Sequence, residues 1–135
     1  MRKEEVIDVM SKFGFVNERV TTTGETFQIG YWEYPKQNKK GESLTVEVNS
    51  CYNEKSPRCL PVLWYKNGWT DRLILNYWSV RSYVHDPDGN CYGRYDFTKL
   101  SDDGKSRVID FDWILENTIE NLEKMVAEML RRFNA

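Results

Sequence analysis

Apolar residues recur along this chain in two periods. Val6, Val9, Met10 and Phe13 stand at helical spacing, with Arg2, Lys3, Glu4, Glu5, Asp8 and Lys12 on the remaining face. Gly14 follows as a stop, since glycine enters the left-handed conformation that ends a helix without strain. A short N-terminal helix is predicted.

The period then changes to two. After the turn residues Thr21-Thr22-Thr23-Gly24, Phe27, Ile29 and Tyr31 alternate with Thr26, Gln28, Gly30 and Trp32, a strand that ends at Pro35. The polar, basic stretch 36–41 reads as a loop. Leu44, Val46 and Val48 alternate with Thr45, Glu47 and Asn49 in the partner strand. Residues 52–61 read as loop around Pro57 and Pro61. Asn67-Gly68 favours a tight hairpin between Val62–Tyr65 and Trp69. From Arg72 to His85 a long strand is expected; over 70–78 the apolar residues do not alternate, and a short helix competes there.

Asp86-Pro87-Asp88-Gly89-Asn90 is a second turn, with Cys91–Phe97 returning as a strand. Ser101-Asp102-Asp103-Gly104 turns again before a last short strand from Arg107 to Phe111. Asp112 stands as an N-cap, and Trp113–Phe133 runs without Gly or Pro. Leu115, Ile119, Leu122, Val126, Met129 and Phe133 form its apolar stripe. Glu116 and Glu120 near its start and Arg131 and Arg132 near its end match the helix dipole. The predicted fold is α+β: an antiparallel β-meander with a short N-terminal and a long C-terminal helix packed on it. Its 135 residues fit a single domain, 1–135.

Composition adds one feature, an aromatic content of 14%. Net charge is −2, with 19 basic and 21 acidic residues, so there is no global field to hold polyanions. No apolar run is long enough to span a membrane. The N-terminus lacks a secretory segment, and three cysteines cannot all pair within one chain. A cytoplasmic protein is the expectation.

Candidate chemistry is sparse. Cys51, Cys59, His85 and Cys91 are the residue types of a Cys₃His zinc site, but their spacings lack the tight Cys-x₂₋₄-Cys knuckle, and separate free cysteines are expected. Asp86-x-Asp88-x-Asn90 opens like a calcium loop, yet Cys91 and Phe97 occupy the positions that need Gly and Glu. His85 and Cys91 face each other across the 86–90 turn as a conceivable base and nucleophile, although a turn tip offers no oxyanion hole. Asp110 and Asp112 have structural roles on a strand and at a helix start. No nucleotide-binding, metalloprotease or hydrolase motif is present. The expectation is a non-enzymatic protein without metal or cofactor.

What stands out is the density of Trp, Tyr and Arg between residues 64 and 97. One sheet face covered by a helix absorbs only part of it, which makes Tyr77, Arg81, Tyr83, Tyr92 and Arg94 the candidate binding surface. Such residues build protein interfaces and single-stranded nucleic-acid platforms, and they also serve as ordinary amphipathic strand surface. The weak net charge favours a protein partner, or self-association, over nucleic acid.

The run from Asn76 to Tyr95 (Asn-Tyr-Trp-Ser-Val-Arg-Ser-Tyr-Val-His-Asp-Pro-Asp-Gly-Asn-Cys-Tyr-Gly-Arg-Tyr), then Ser101-Asp-Asp-Gly-Lys and Val108-Ile-Asp-Phe-Asp-Trp, resembles small accessory proteins of bacterial plasmids and integrative elements that have no assigned function. The resemblance covers residues 76–118, about a third of the chain, and brings no catalytic or binding residues with it. It implies an accessory role toward other proteins or nucleic-acid machinery.

Overall fold

The computed structural model describes residues 2–50, 78–94, 97–113 and 115–135. The loop expected at 52–61, the Asn67-Gly68 hairpin and all but the last residue of the strand-or-helix alternative at 70–78 lie outside the described residues, as do Cys51, Cys59 and Tyr77. The elements in chain order are α1 (Lys3–Lys12), β1 (Val16–Thr23), β2 (Thr26–Tyr34), β3 (Ser43–Asn49), β4 (Ser79–His85), β5 (Cys91–Arg94), β6 (Thr98–Leu100), β7 (Arg107–Ile109), a 3₁₀ turn (Phe111–Trp113) and α2 (Ile119–Phe133). Strands β1 to β5 form one sheet in sequential order, each antiparallel to the next. This is the predicted meander. The last two strands leave it and, among the described residues, pair with each other.

Both helices lie on one face of the sheet. Val6, Val9 and Met10 of α1 and Leu122, Met125, Val126, Met129 and Phe133 of α2 close the core over Leu44, Val46 and Val48 of β3 and Val80 and Val84 of β4. Lys12 of α1 reaches Glu123 of α2 at 3.4 Å, an exposed ion pair between the helices.

Two one-residue irregularities set which side chains face this core. On β2, Thr21 pairs with Ile29 but Thr22 pairs with Phe27, so Gln28 is an extra residue. A bulge of this kind reverses the inward–outward alternation. Phe27 and Trp32, of opposite parity in the sequence, therefore both point inward, with ring centroids 6.2 Å apart. Strict alternation, as read from the sequence, would have put them on opposite faces. On β1, Val16 pairs with Glu33 and Arg19 with Tyr31, leaving a second bulge in which Asn17 adopts φ 55°. Its Nδ2 donates to Glu33 Oε2 at 2.8 Å.

Left-handed backbone is tolerated by Asn and Gly and disfavoured by β-branched side chains. Asn17→Val is expected to be less stable than Asn17→Gly by about 1–2 kcal/mol, measured by urea unfolding. Among the described residues β1 is the outermost strand, and a bulge there also hinders edge-to-edge pairing with another sheet.

The C-terminal helix begins at Ile119, not at Trp113, and its N-cap is Thr118 rather than Asp112. The Thr118 hydroxyl accepts from the Asn121 amide at 3.2 Å. Ahead of it, Trp113 stacks on Phe97 at 5.1 Å while the Arg132 guanidinium lies over both rings. This segment thus packs against the core cluster instead of forming a first helical turn.

This segment also ties down the ends of β3 and β4. Trp78 Nε1 donates to Thr118 O at 2.9 Å, and Asn117 Nδ2 donates to Ser50 O at 3.2 Å. The Ser50 hydroxyl in turn donates to Phe27 O at 2.8 Å. The strand ends flanking 51–77 are thereby fixed side by side, with Asn49 opposite Ser79.

Near the end of α2, Glu128 accepts from Arg131 Nε at 2.9 Å and Nη2 at 2.6 Å, and from Arg132 Nε at 3.0 Å. The hydrogen bonds from Arg131 first, then Arg132, hold its carboxyl at about 2 against an ordinary 4.5. A depressed carboxylate pKa adds stability that is present above the ordinary value and disappears as pH falls through the native one. The pair lies at the surface, so its contribution is under about 1 kcal/mol. Stability of the wild type is expected to decline more than that of Glu128→Gln between pH 4.5 and about 2; parallel acid-unfolding curves would remove this assignment.

Candidate binding face

The sheet face turned away from the helices is built by the residues that alternate with the core positions. Because the register is known across the strands, its rows can be read directly. One row runs Arg19, Tyr31, Glu47, Arg81 over β1 to β4. The next runs Glu33, Thr45, Tyr83, Gly93 over β2 to β5, and a third brings together Ser43, His85 and Cys91. On the other side of the first row stand Thr21, Ile29, Asn49 and Ser79.

The first row alternates in chemistry. The exposed Arg19 guanidinium lies 5.4 Å from the centroid of the Tyr31 ring, a cation–π arrangement. Glu47 is 1% exposed although it stands on this outer face. Register puts Arg81 directly opposite it, the cross-strand placement at which opposite charges attract. Arg81 and Tyr83 are both half-buried.

Of the five residues picked out by sequence, two are therefore brought together here, Arg81 and Tyr83. Tyr92 and Arg94 pair in register with Val84 and Ser82, the positions that alternate with the outer-face set. Tyr77 lies outside the described residues. Arg19, Tyr31 and Glu47 join Arg81 and Tyr83 without having been singled out by sequence. Their signal was the outward parity of Glu47 and Tyr31, but only the pairing of β1 with β2 puts Arg19 beside them.

The aromatic rings among the described residues are taken up by packing. No aromatic ring among the described side chains is exposed. Phe15, Phe27, Trp32, Trp78, Phe97 and Phe133 are buried in the core cluster. Tyr34 meets Phe15 at 5.3 Å and Phe133 at 6.1 Å, joining sheet to helix.

A groove of about 500 Å³ lies elsewhere, beside α2, lined by Trp113, Leu115, Lys124, Ala127, Glu128 and Arg131. The guanidinium of Arg131 is already engaged by Glu128, so the groove offers a ligand less charge than its composition implies. Among the described residues no three His, Cys, Asp or Glu side chains converge as a metal site, and no helix is long and apolar enough to cross a membrane.

Among the described residues these features define an α+β protein whose five-stranded meander is closed on one face by two helices. No protein-family model matches the chain, and neither does any curated protein or solved structure with which it was compared.

Proposed function

We propose that this protein is a non-enzymatic binding module that recognises a protein partner through the outer face of its sheet. The observation that supports it is the row Arg19–Tyr31–Glu47–Arg81 with Tyr83 beside it. Arg and Tyr are enriched where proteins meet, because each combines broad apolar contact with directional hydrogen bonding. They stand on paired strands, whose backbone is ordered before any partner arrives, and this limits the entropy lost on binding.

The buried Glu47 carboxylate favours a protein over a polyanion. A nucleic-acid platform gains its affinity from cations on phosphate and rings stacked on bases. Here an acidic residue stands between the two arginines, and the Tyr31 ring is engaged by Arg19. The Glu47 charge lies beneath this face and lowers its attraction for phosphate, while Arg19, Tyr31, Arg81 and Tyr83 remain at least partly accessible.

The test is co-purification from the native host with wild type, Arg19→Glu and Tyr83→Ala, each checked for native circular dichroism. Loss of the same partner in both variants is expected, with retention in a Lys124→Ala control on the helix side. A partner unaffected by either outer-face substitution would count against the reading. Binding to single-stranded oligonucleotides that weakens steeply with salt would replace it.

A further inference from the structure

Beyond the central rows, the outer face ends in a cluster that the proposed partner surface does not use. His85, the last residue of β4, stands directly opposite Cys91, the first residue of β5. Both side chains are exposed, and Cys91 Sγ lies 3.9 Å from His85 Nε2. We propose that these two atoms form a surface site for a thiophilic divalent cation of the zinc class, with water completing the coordination shell.

The geometry supports this directly. Zinc bonds thiolate sulfur at about 2.3 Å and imidazole nitrogen at about 2.0 Å, so at a tetrahedral angle the two donors stand about 3.5 Å apart. The pair has to close by only about 0.4 Å to reach that span, within reach of a small side-chain rotation. Thiolate and imidazole together also select zinc-like ions over magnesium or calcium, which prefer oxygen donors.

The turn between the two residues keeps them in register. Asp86 Oδ1 accepts from the Asp88 and Asn90 amides at 3.0 and 2.9 Å, and Oδ2 accepts from Asn90 Nδ2 at 3.1 Å. The Asn90 contacts lead in holding the Asp86 carboxyl below its ordinary range. That carboxylate is occupied in shaping the turn, which makes it a positioning group and not a third ligand. Pro87 also packs close to Gly41 of the neighbouring β2–β3 loop, which steadies the turn tip. With two protein ligands the site is open and exchangeable, unlike a closed four-ligand structural centre. Binding transfers the Cys91 thiol proton to solvent as the sulfur–metal bond forms.

The experiment is titration of the reduced full-length protein with Co²⁺, read by thiolate-to-cobalt charge-transfer absorption, and with Zn²⁺, read by calorimetry. Wild type is expected to develop the absorption at one equivalent of cobalt. Cys91→Ser should abolish it, and His85→Gln should weaken Zn²⁺ binding at least about tenfold. Both residues are exposed, so circular dichroism should show the two variants folded. Unchanged absorption in Cys91→Ser would assign the metal to Cys51 or Cys59 and overturn the proposal. So would equal Zn²⁺ affinity in His85→Gln, or no binding by the wild type.

Discussion

Trp32→Ala is expected to lower the stability of this protein by about 3–5 kcal/mol. Among the described residues Trp32 is the largest of the fully buried side chains. The indole is 2% exposed, belongs to the core cluster that both helices join, and lies against Phe27. Removing it leaves a cavity that rigid strands cannot collapse to fill. Typical domains are stable by about 5–15 kcal/mol, so the variant should unfold at far lower urea or not fold at all.

The same ring explains Gly30. A methyl at that position would overlap the Trp32 ring and come within 3.2 Å of Phe27. Gly30→Ala should therefore cost about 1–3 kcal/mol by overpacking. Its cost should largely vanish when Trp32 is replaced by the smaller Phe, because the obstruction is then reduced. A double-mutant cycle measures this coupling; strictly additive losses would show that the two residues do not compete for the same space.

The second large effect is expected at Asn38. Its Oδ1 accepts from the Lys40 and Glu42 amides at 3.0 Å each, while its Nδ2 donates to Glu42 Oε1 at 2.8 Å and to Phe133 O at 3.1 Å. One side chain thus shapes the β2–β3 loop and satisfies a carbonyl at the end of α2. Asn38→Ala should cost about 2–3 kcal/mol, since partly buried donors and acceptors lose their partners together.

Asn38→Asp is the sharper comparison. It keeps both accepted bonds and nearly the same shape, but replaces the donor with a carboxylate oxygen. That oxygen would face the Glu42 carboxylate and the negative end of the helix dipole. Asn38→Asp should therefore be no more stable than Asn38→Ala at neutral pH and should recover as pH falls and the new carboxyl protonates. Chemical unfolding at two pH values distinguishes this from simple loss of shape, for which Asp would match Asn.

The parts of this fold that show in the sequence are those set by local period. The stripe Ile119, Leu122, Val126, Met129 and Phe133 lies on α2, and β3 alternates as Leu44, Val46 and Val48 imply. What the period conceals is any one-residue insertion. Gln28 looks like an ordinary outward residue, yet it reverses the parity between Phe27 and Trp32. Helix onset is concealed in a similar way. Leu115 stands four residues before Ile119, in helical spacing, but Trp113 stacks on Phe97 and the Thr118 cap starts the helix later.

The candidate face is legible to the same degree. Arg81 and Tyr83 alternate on one strand, so their shared face follows from sequence alone. Tyr92 and Arg94 were grouped with them by composition, and the β4–β5 register shows that they alternate with Cys91 and Gly93 instead. Arg19 and Tyr31 lie far from Arg81 in sequence, and only two successive strand pairings bring them into one row. Register is a long-range property, and a single sequence carries little of it.

Docking of a partner on the outer sheet face is open to site-specific photocrosslinking in the native host. A photoreactive residue placed at Tyr83 should trap one discrete adduct, and Arg19→Glu should remove it. The same probe placed at Lys124, on the exposed side of α2, should trap none. Adducts formed equally from both positions, or from Lys124 alone, would contradict the claim.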